Sequence, residues 1–272
     1  MPELPEVETV KNFLKNNIVQ KKILSVKIKN RNLRFKISQE IPLKLSNAII
    51  TKIIRRGKYL IFLCSNDCAI LIHLGMTGYF RTEKFYKKKK HDHILFILND
   101  DNLVFNDIRK FGFIKIYKKE EVFISFHIKN LGPEPLSLDF SIEYFLKHLN
   151  RKTNIKNLLM NQRFVSGLGN IYCSEILFDS NIHPERSVQT IKKNEVKNLI
   201  NSAKKILHNA IELGGTTIKN FIVSNEKIGY FKNKLNVYGR ENLPCTICGK
   251  KSRILKIVQS GRSTFYCSKC QK

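Results

Sequence analysis

The chain has no apolar run long enough to cross a membrane. A spanning helix needs about 18 or more consecutive apolar residues, and the longest candidate, Tyr59 to Leu63, is strand-sized. The opening residues are acidic and lack the apolar stretch of a signal peptide, so a cytoplasmic protein is expected. Internal repeats are missing as well. Acidic residues are scarce: 22 Asp and Glu face 49 Lys and Arg, a formal net charge of +27. That excess calls for a polyanionic partner, most simply nucleic acid, with a membrane surface as the competing choice. The abundance of Lys, Asn and Ile is what A/T-rich coding produces and accounts for part of the excess. The sign of the charge therefore says more than its size, and Lys87 to Lys90 can be read as a solvated loop.

What is present supports real cores. Hydrophobic residues make up 42% of 272 residues, enough for two modest domains or one large one. Val7, Val10, Leu14 and Ile18 recur at helical spacing, which predicts an amphipathic helix over 5–17. Short β-branched runs follow at 23–28, 48–54, 59–63, 69–74, 93–98, 103–105 and 113–116. With turn residues between them, they predict antiparallel strands in a sandwich or barrel. Leu131-Gly132-Pro133-Glu134-Pro135 breaks the pattern as a hinge would. Beyond it the period becomes helical, at 141–150, 155–161, 170–179, 192–213 and 216–222, and 223–235 reads as a loop.

Two features carry chemistry. The first is Met1-Pro2-Glu3. If Met1 is removed, Pro2 becomes a free secondary amine. An α-amino group has a pKa of roughly 7.7–8.0, well below that of lysine, so it can act as a nucleophile near neutral pH. With Met1 attached the nitrogen is a tertiary amide and cannot attack. Taken alone, a stiff chain start is the better explanation of Pro2. The second is Cys245-x2-Cys248 and Cys267-x2-Cys270, two knuckles 18 residues apart. Four thiolates in that spacing suit one tetrahedral Zn²⁺ with no open position, a structural site. Two local disulfides are the alternative, disfavoured in a cytosolic chain. Arg253, Lys256 and Arg262 lie between the knuckles on an expected β-hairpin and could face phosphates. Cys64, Cys68 and Cys173 sit in apolar surroundings and are expected as core thiols.

Met1-Pro2-Glu3-Leu4-Pro5-Glu6 also opens a longer series. It continues through Gly57-Lys58-Tyr59-Leu60, His73-Leu74-Gly75-Met76-Thr77-Gly78, Lys90-His91-Asp92-His93 and Asp107-Ile108-Arg109-Lys110-Phe111-Gly112. Gly167-Leu168-Gly169-Asn170, Gly214-Gly215-Thr216-Thr217, Val237-Tyr238-Gly239-Arg240 and Gly261-Arg262-Ser263-Thr264-Phe265 follow in order. Together these motifs resemble bacterial formamidopyrimidine-DNA glycosylases along the whole chain. The resemblance implies an α+β multidomain protein. It would have an N-terminal antiparallel β-sandwich with flanking helices (1–132), a helix-two-turns-helix domain (133–235) and a four-cysteine zinc finger (236–272).

The resemblance further implies a monomeric repair enzyme on damaged double-stranded DNA. It would flip out and excise oxidised purines through a Pro2 Schiff base, then cleave the strand by β,δ-elimination. By the same resemblance Glu3 moves protons at the sugar, and Lys58 meets the damaged nucleotide and its phosphate. Met76, Arg109 and Phe111 fill the emptied stack, while His91, Lys156, Asn170 and Arg262 hold phosphates. Residues 224–231 would form the loop over the flipped base. Glu6 is either a family carboxylate near the site or a helix-start acid, and His73 and His93 are structural. Lys110 stands where the family often has arginine, and the zinc spacer is slightly long. Two other readings remain: an endonuclease VIII-like glycosylase for oxidised pyrimidines, and a non-catalytic zinc-finger nucleic-acid binder.

Overall fold

The computed structural model describes residues 2–216 and 231–272. The chain divides into two compact units, Met1–Asn130 with Gly214–Tyr230, and Leu131–Leu213 with Phe231–Lys272. The expected helix at 216–222 and the loop at 224–231 therefore lie outside the described residues, apart from Thr216 and Phe231.

The first unit begins with α1 (Leu4–Ile18). Pro5 falls in its first turn, where the backbone has no intrahelical partner to lose. Leu4, Val7, Val10, Leu14 and Ile18 form its buried stripe, each contributing about 1.5–3 kcal/mol by leaving water. Eight strands follow: β1 (Ile23–Ile28), β2 (Ile50–Arg56), β3 (Tyr59–Cys64), β4 (Cys68–His73), β5 (Tyr79–Glu83), β6 (Asp92–Leu98), β7 (Asn102–Asn106) and β8 (Phe113–Lys118). They build two four-stranded sheets, ordered β1-β6-β7-β5 and β2-β3-β4-β8, antiparallel throughout. One core joins both: Ile23, Phe96 and Phe105 of the first sheet cluster with Phe62, Ile72 and Ile114 of the second and with Val7, Val10, Leu14 and Ile18 of α1. The expected sandwich is therefore present, with α1, α2 (Ile41–Leu45) and α3 (Lys119–Ile124) beside it.

Strand β5 is absent from the sequence expectation, and the reason is electrostatic. Its segment Tyr-Phe-Arg-Thr-Glu carries two charges, yet Arg81 is buried because Asp92 on β6 accepts from both of its terminal nitrogens, at 2.7 and 2.9 Å. A buried arginine needs such a partner, and the partner is 11 residues away. The cysteine expectation needs one correction. Cys64 and Cys173 are fully buried, whereas Cys68, at the start of β4, is partly exposed. Burial pushes the Cys64 thiol up to about 12.

Two loops cross between the sheets. Residues 74–78 link β4 to β5, and 107–112 link β7 to β8. Because β4 pairs with β8 and β5 with β7, His73 lies opposite Phe113 and Tyr79 opposite Asn106. The pairing sets the two crossovers side by side.

The second unit holds α4 (Ile142–Leu146), α5 (Ile155–Met160), α6 (Asn170–Asp179) and α7 (Lys193–Glu212). Along α7, Val196, Leu199, Ile200, Ala203, Ile206, Leu207 and Ala210 recur every three or four residues and are buried. They pack with Phe145, Leu158, Leu159, Tyr172 and Ile176 of the other three helices. Helix α4 stops well short of 150; 147–150 continue as turns. The chain ends in β9 (Pro244–Cys245), β10 (Gly249–Arg253), β11 (Leu255–Gln259) and β12 (Arg262–Tyr266). The hairpin of β11 and β12 turns at Ser260-Gly261, both at positive φ, as a two-residue turn requires.

Candidate active site

In the first unit, Pro2 and Glu3 are buried at the head of α1. Glu6 organises this start. Its Oε2 accepts from the Glu3 backbone N–H at 2.8 Å, and its Oε1 accepts from the Thr216 N–H at 2.8 Å and the Thr216 hydroxyl at 3.0 Å. One carboxylate thus ties the catalytic candidates to the Gly214-Gly215-Thr216 segment, 210 residues away. Gly215 sits at φ +78°, and an added Cβ would lie 2.8 Å from Glu6 Oε1. Glycine is required there by both conformation and space.

Lys58 follows Gly57 (φ +55°) in the turn between β2 and β3 and is 6% exposed. Arg55 links this turn to α1: its Nε donates to Glu8 at 2.6 Å and its Nη1 to the Gly57 carbonyl at 3.0 Å. His73 lies in a row with Tyr59 and Phe113 across the sheet, with ring centroids 5.0 and 5.7 Å away. Burial first, and the positive Lys58 and Arg34 next, hold its pKa down at about 4. The neutral ring accepts from the Gly75 N–H through Nδ1 at 3.0 Å, which fixes the base of the Met76 loop.

The three stack-filling candidates come together on the two crossovers. Met76 is partly buried, while Arg109 and Phe111 are exposed, with the Arg109 guanidinium 4.6 Å from the Phe111 ring centre. Asp107, fully buried, binds both loops. Its Oδ1 accepts from the Thr77 hydroxyl at 2.5 Å and from the Arg109 N–H at 3.2 Å, and its Oδ2 from the Gly112 N–H at 2.8 Å. The contact is close enough that a Cβ on Gly75 would meet Gly112 N at 2.4 Å. An open cavity of about 640 Å³ is lined by Arg34, His73, Gly75, Met76 and 109–111. His93 supports Asp107 from behind, with Nε2 2.9 Å from the Asp107 carbonyl oxygen. His91 is partly buried at φ +70°, beside the lysine-rich loop.

The remaining candidates belong to the second unit. Lys156 is only 1% exposed, and its ammonium donates to Asn170 Oδ1 at 2.6 Å and to the Thr264 hydroxyl at 2.5 Å. Asn170 opens α6, with Gly169 rather than itself as the cap, and its Nδ2 donates to the Ser263 carbonyl at 2.8 Å. Arg262 is exposed beside the turn of the zinc hairpin. The four ligand sulfurs of Cys245, Cys248, Cys267 and Cys270 lie within 4.8 Å of one another. The Cys245–Cys270 separation of 3.7 Å matches the edge of a tetrahedron with metal–sulfur bonds of about 2.3 Å, and Cys248–Cys270 is tighter at 3.0 Å; four thiols this close together fit one Zn²⁺. Burial opposes the Cys267 thiolate, but hydrogen bonds from the Ser252 hydroxyl and the Cys270 and Lys269 backbone outweigh it and bring its pKa to about 6.

Sequence reasoning missed three organising carboxylates. Asp107 stood in a quoted motif without a role. Asp92 holds Arg81. Glu175, in the middle of the apolar helix α6, accepts from the backbone N–H groups of Asn236, Val237 and Tyr238 at 2.8–3.0 Å. Burial raises its pKa against those bonds. A lone acid inside an apolar helix was the available signal for Glu175; its partners, far along the chain, were not visible.

Comparison with known proteins agrees along the whole chain. Residues 1–114 match the formamidopyrimidine-DNA glycosylase N-terminal domain, 131–222 the H2TH domain of the same enzymes, and 242–272 the zinc finger found in FPG and IleRS. The formamidopyrimidine-DNA glycosylase of Rickettsia felis is 45% identical over 278 residues, covering 100% of this chain and 98% of the relative. That of Rickettsia bellii is also 45% identical, with both chains fully covered. Among solved structures, the Lactococcus lactis FPG in complex with a FAPY-dG containing DNA superposes with a TM-score of 0.91 at 37% identity, with 99% of this chain and 100% of that chain covered. The Lactococcus lactis Fpg bound to an abasic site containing DNA gives 0.91 at 36% identity, with 99% of each chain covered.

Proposed function

The chain belongs to the formamidopyrimidine-DNA glycosylase family, and we propose that it excises oxidised purines from double-stranded DNA and then cleaves the strand at the vacated sugar. The observation that carries this reading is the head of α1. There Pro2 and Glu3 are buried on a backbone that Glu6 clamps from both oxygens. The Pro2 nitrogen, freed of Met1, attacks C1′ of the flipped nucleotide. The base leaves with its bonding electron pair and takes up the proton that the Pro2 nitrogen sheds on forming the new bond, and Glu3 protonates the ring oxygen as the nitrogen lone pair opens the sugar to an iminium. The iminium acidifies the 2′ hydrogen. Loss of that proton expels the 3′ phosphate, and a second elimination expels the 5′ phosphate. The zinc takes no part in these steps; it holds the C-terminal hairpin.

Lys58 serves base departure, close to its turn beside His73. Met76, Arg109 and Phe111 occupy the space the nucleotide leaves, with the arginine facing the orphaned base. His91, Asn170 and Arg262 grip phosphates. The burial of Lys156 supports an indirect part for it, holding Asn170 against the zinc hairpin. In this reading 1–132, 133–235 and 236–272 act as catalytic, helix-two-turns-helix and zinc domains. A monomer working in the cytoplasm with the nucleoid is the simplest setting; no described helix is long and apolar enough to cross a membrane.

Borohydride trapping on duplex DNA containing 8-oxoguanine opposite cytosine tests the reading. A covalent adduct whose mass and sequence place the sugar on the Pro2 nitrogen is expected, and its absence from the wild-type protein defeats the enzyme reading. Faster removal of thymine glycol than of 8-oxoguanine would move the chain to the pyrimidine branch. Lys58→Ala is expected to slow base excision more than cleavage of a preformed abasic site; equal losses would contradict the role given to Lys58.

A further inference from the structure

The lysine-rich loop between β5 and β6 is a built surface. Lys84 and Lys87 to Lys90 are all exposed, yet the loop backbone is held almost residue by residue. Asn102 Nδ2 donates to the Lys84 carbonyl at 2.9 Å. The Lys87 N–H donates to Glu83 at 3.2 Å, and the Lys87 carbonyl accepts from Arg81 at 3.1 Å. The Lys89 N–H donates to Asp92 Oδ2 at 2.9 Å, and the Lys90 carbonyl accepts from Asn106 at 2.9 Å. The Tyr86 hydroxyl also reaches Asp92, at 3.1 Å, and Lys29 lies 4.8 Å from the Tyr86 ring centre.

The consequence is electrostatic. Lysines adjacent in sequence repel, and a free loop would spread them into solvent. Here the two nearby acids, Glu83 and Asp92, are turned inward onto Arg81, so they hold the backbone without neutralising the outward ammoniums. Lys88, Lys89 and Lys90 line one groove of about 300 Å³ together with Lys29, Lys110 and His91. Ordering cations before the ligand arrives reduces the entropic cost of binding. Asn30, Tyr86 and Asp92 also line the groove, but five of its nine lining residues are lysines, a charge pattern that matches a phosphodiester backbone.

We propose that this groove is an additional phosphate-binding site, in which Lys29, Lys88 and Lys89 engage the backbone of the duplex beyond the phosphate assigned to His91. It rests on the DNA-binding reading above and adds to it a sequence-independent contact that acts on undamaged DNA. Each phosphate neutralised contributes about 0.9 to the slope of log K against log salt.

The test is fluorescence anisotropy of the full chain on a long undamaged duplex across a salt series. Replacing Lys29, Lys88 and Lys89 together by serine is expected to flatten the slope by about two to three. Replacing the exposed lysines Lys192, Lys193 and Lys197 on the other unit serves as the control for lost charge. An unchanged slope in the first variant, or an equal change in the control, overturns the proposal. Asp92→Asn separates a built groove from bulk charge. It removes one negative charge, so charge alone predicts tighter binding, whereas release of the loop predicts weaker binding. Tighter binding by a variant with wild-type circular dichroism counts against the groove; should that variant not fold, the lysine variants decide. Wild-type protein that binds with the expected slope but traps no adduct would refute the catalytic reading and leave the groove standing. A duplex shortened until only the lesion-proximal phosphates remain should erase the difference between wild type and the triple variant.

Discussion

Replacing Asp107 by alanine should disable the two crossover loops proposed to wedge the DNA while leaving the β-sandwich folded. The carboxylate is fully buried and receives three hydrogen bonds, from the Thr77 hydroxyl and from the Arg109 and Gly112 N–H groups. Hydrogen bonds to a charged acceptor are worth about 1.5–3 kcal/mol each, and a buried donor left without a partner costs about 1–3 kcal/mol. Of the three donors, only Gly112 N lies in a fully buried bond; the other two reach partly open surface and can recover water. The net loss should therefore be about 2–4 kcal/mol, near the upper end for a single substitution but below the stability of most domains. The loss concentrates where the two crossovers touch, so function should suffer more than fold. Stopped-flow fluorescence of 2-aminopurine placed opposite or beside the lesion reports base extrusion directly. Extrusion should slow by at least about tenfold in Asp107→Ala, the equivalent of about 1.4 kcal/mol, with a smaller loss in Asp107→Asn, which keeps one acceptor. Cleavage of an abasic site in a mismatched bulge, where little wedging is needed, should stay much closer to wild type. Wild-type extrusion in a folded Asp107→Ala protein, or equal losses on both substrates, would refute the argument that this carboxylate acts by positioning Met76, Arg109 and Phe111.

Three other perturbations follow from the same contacts. Gly215→Ala places a Cβ 2.8 Å from Glu6 Oε1 at φ +78°; left-handed strain of about 1–2 kcal/mol plus weakened Thr216 bonds should lower the melting temperature and slow adduct formation, and a protein unchanged in both would show that the Glu6 clamp is dispensable. Chelation should release one equivalent of zinc and weaken DNA binding by about tenfold or more, because the few apolar residues around the cysteines, Phe178, Val237, Ile254 and Phe265, are too small a core to hold the hairpin alone; retention of full affinity after metal loss would contradict this. Burial disfavours the charged form of Asp92, but hydrogen bonds from Arg81, Asn106 and the Lys89 N–H prevail and lower its pKa from 3.8 to about 2. A depressed carboxyl stabilises the fold above its unfolded pKa and loses that contribution as pH falls through the folded value. Urea titrations should therefore show the stability gap between wild type and Asp92→Asn constant above about pH 5 and closing between about pH 4 and 2; a gap that does not narrow would exclude the pair as its source.

Much of the architecture was legible in local pattern. The helical stripe of α1, seven of the eight sandwich strands, the helices α5 to α7 and the two cysteine knuckles all declare themselves through spacing over a few residues. Strand β5 did not, because the buried Arg81 reads as a surface residue until Asp92 is beside it. Helix α4 proved shorter than its apolar period, with the chain turning after Leu146. Lys156, a phosphate contact by resemblance, is interior, with its ammonium held by Asn170 and Thr264, a burial its residue type did not signal.

The sequence alone determined which chemical groups this protein owns: a proline at position 2 whose nitrogen becomes a secondary amine if Met1 is removed, an adjacent acid, a lysine after a glycine, four thiols in metal spacing and an excess of positive charge. Those are properties of residue type and short spacing. Only the tertiary structure decided how they are held, through Glu6 on Thr216, Asp107 across two crossovers, Glu175 on the entry to the zinc segment, and Asp92 beneath a row of lysines. Each is a buried carboxylate with partners supplied by other parts of the fold. An acid in a sequence reads as solvent-facing; burial makes its hydrogen bonds obligatory, and the fold alone decides where they go.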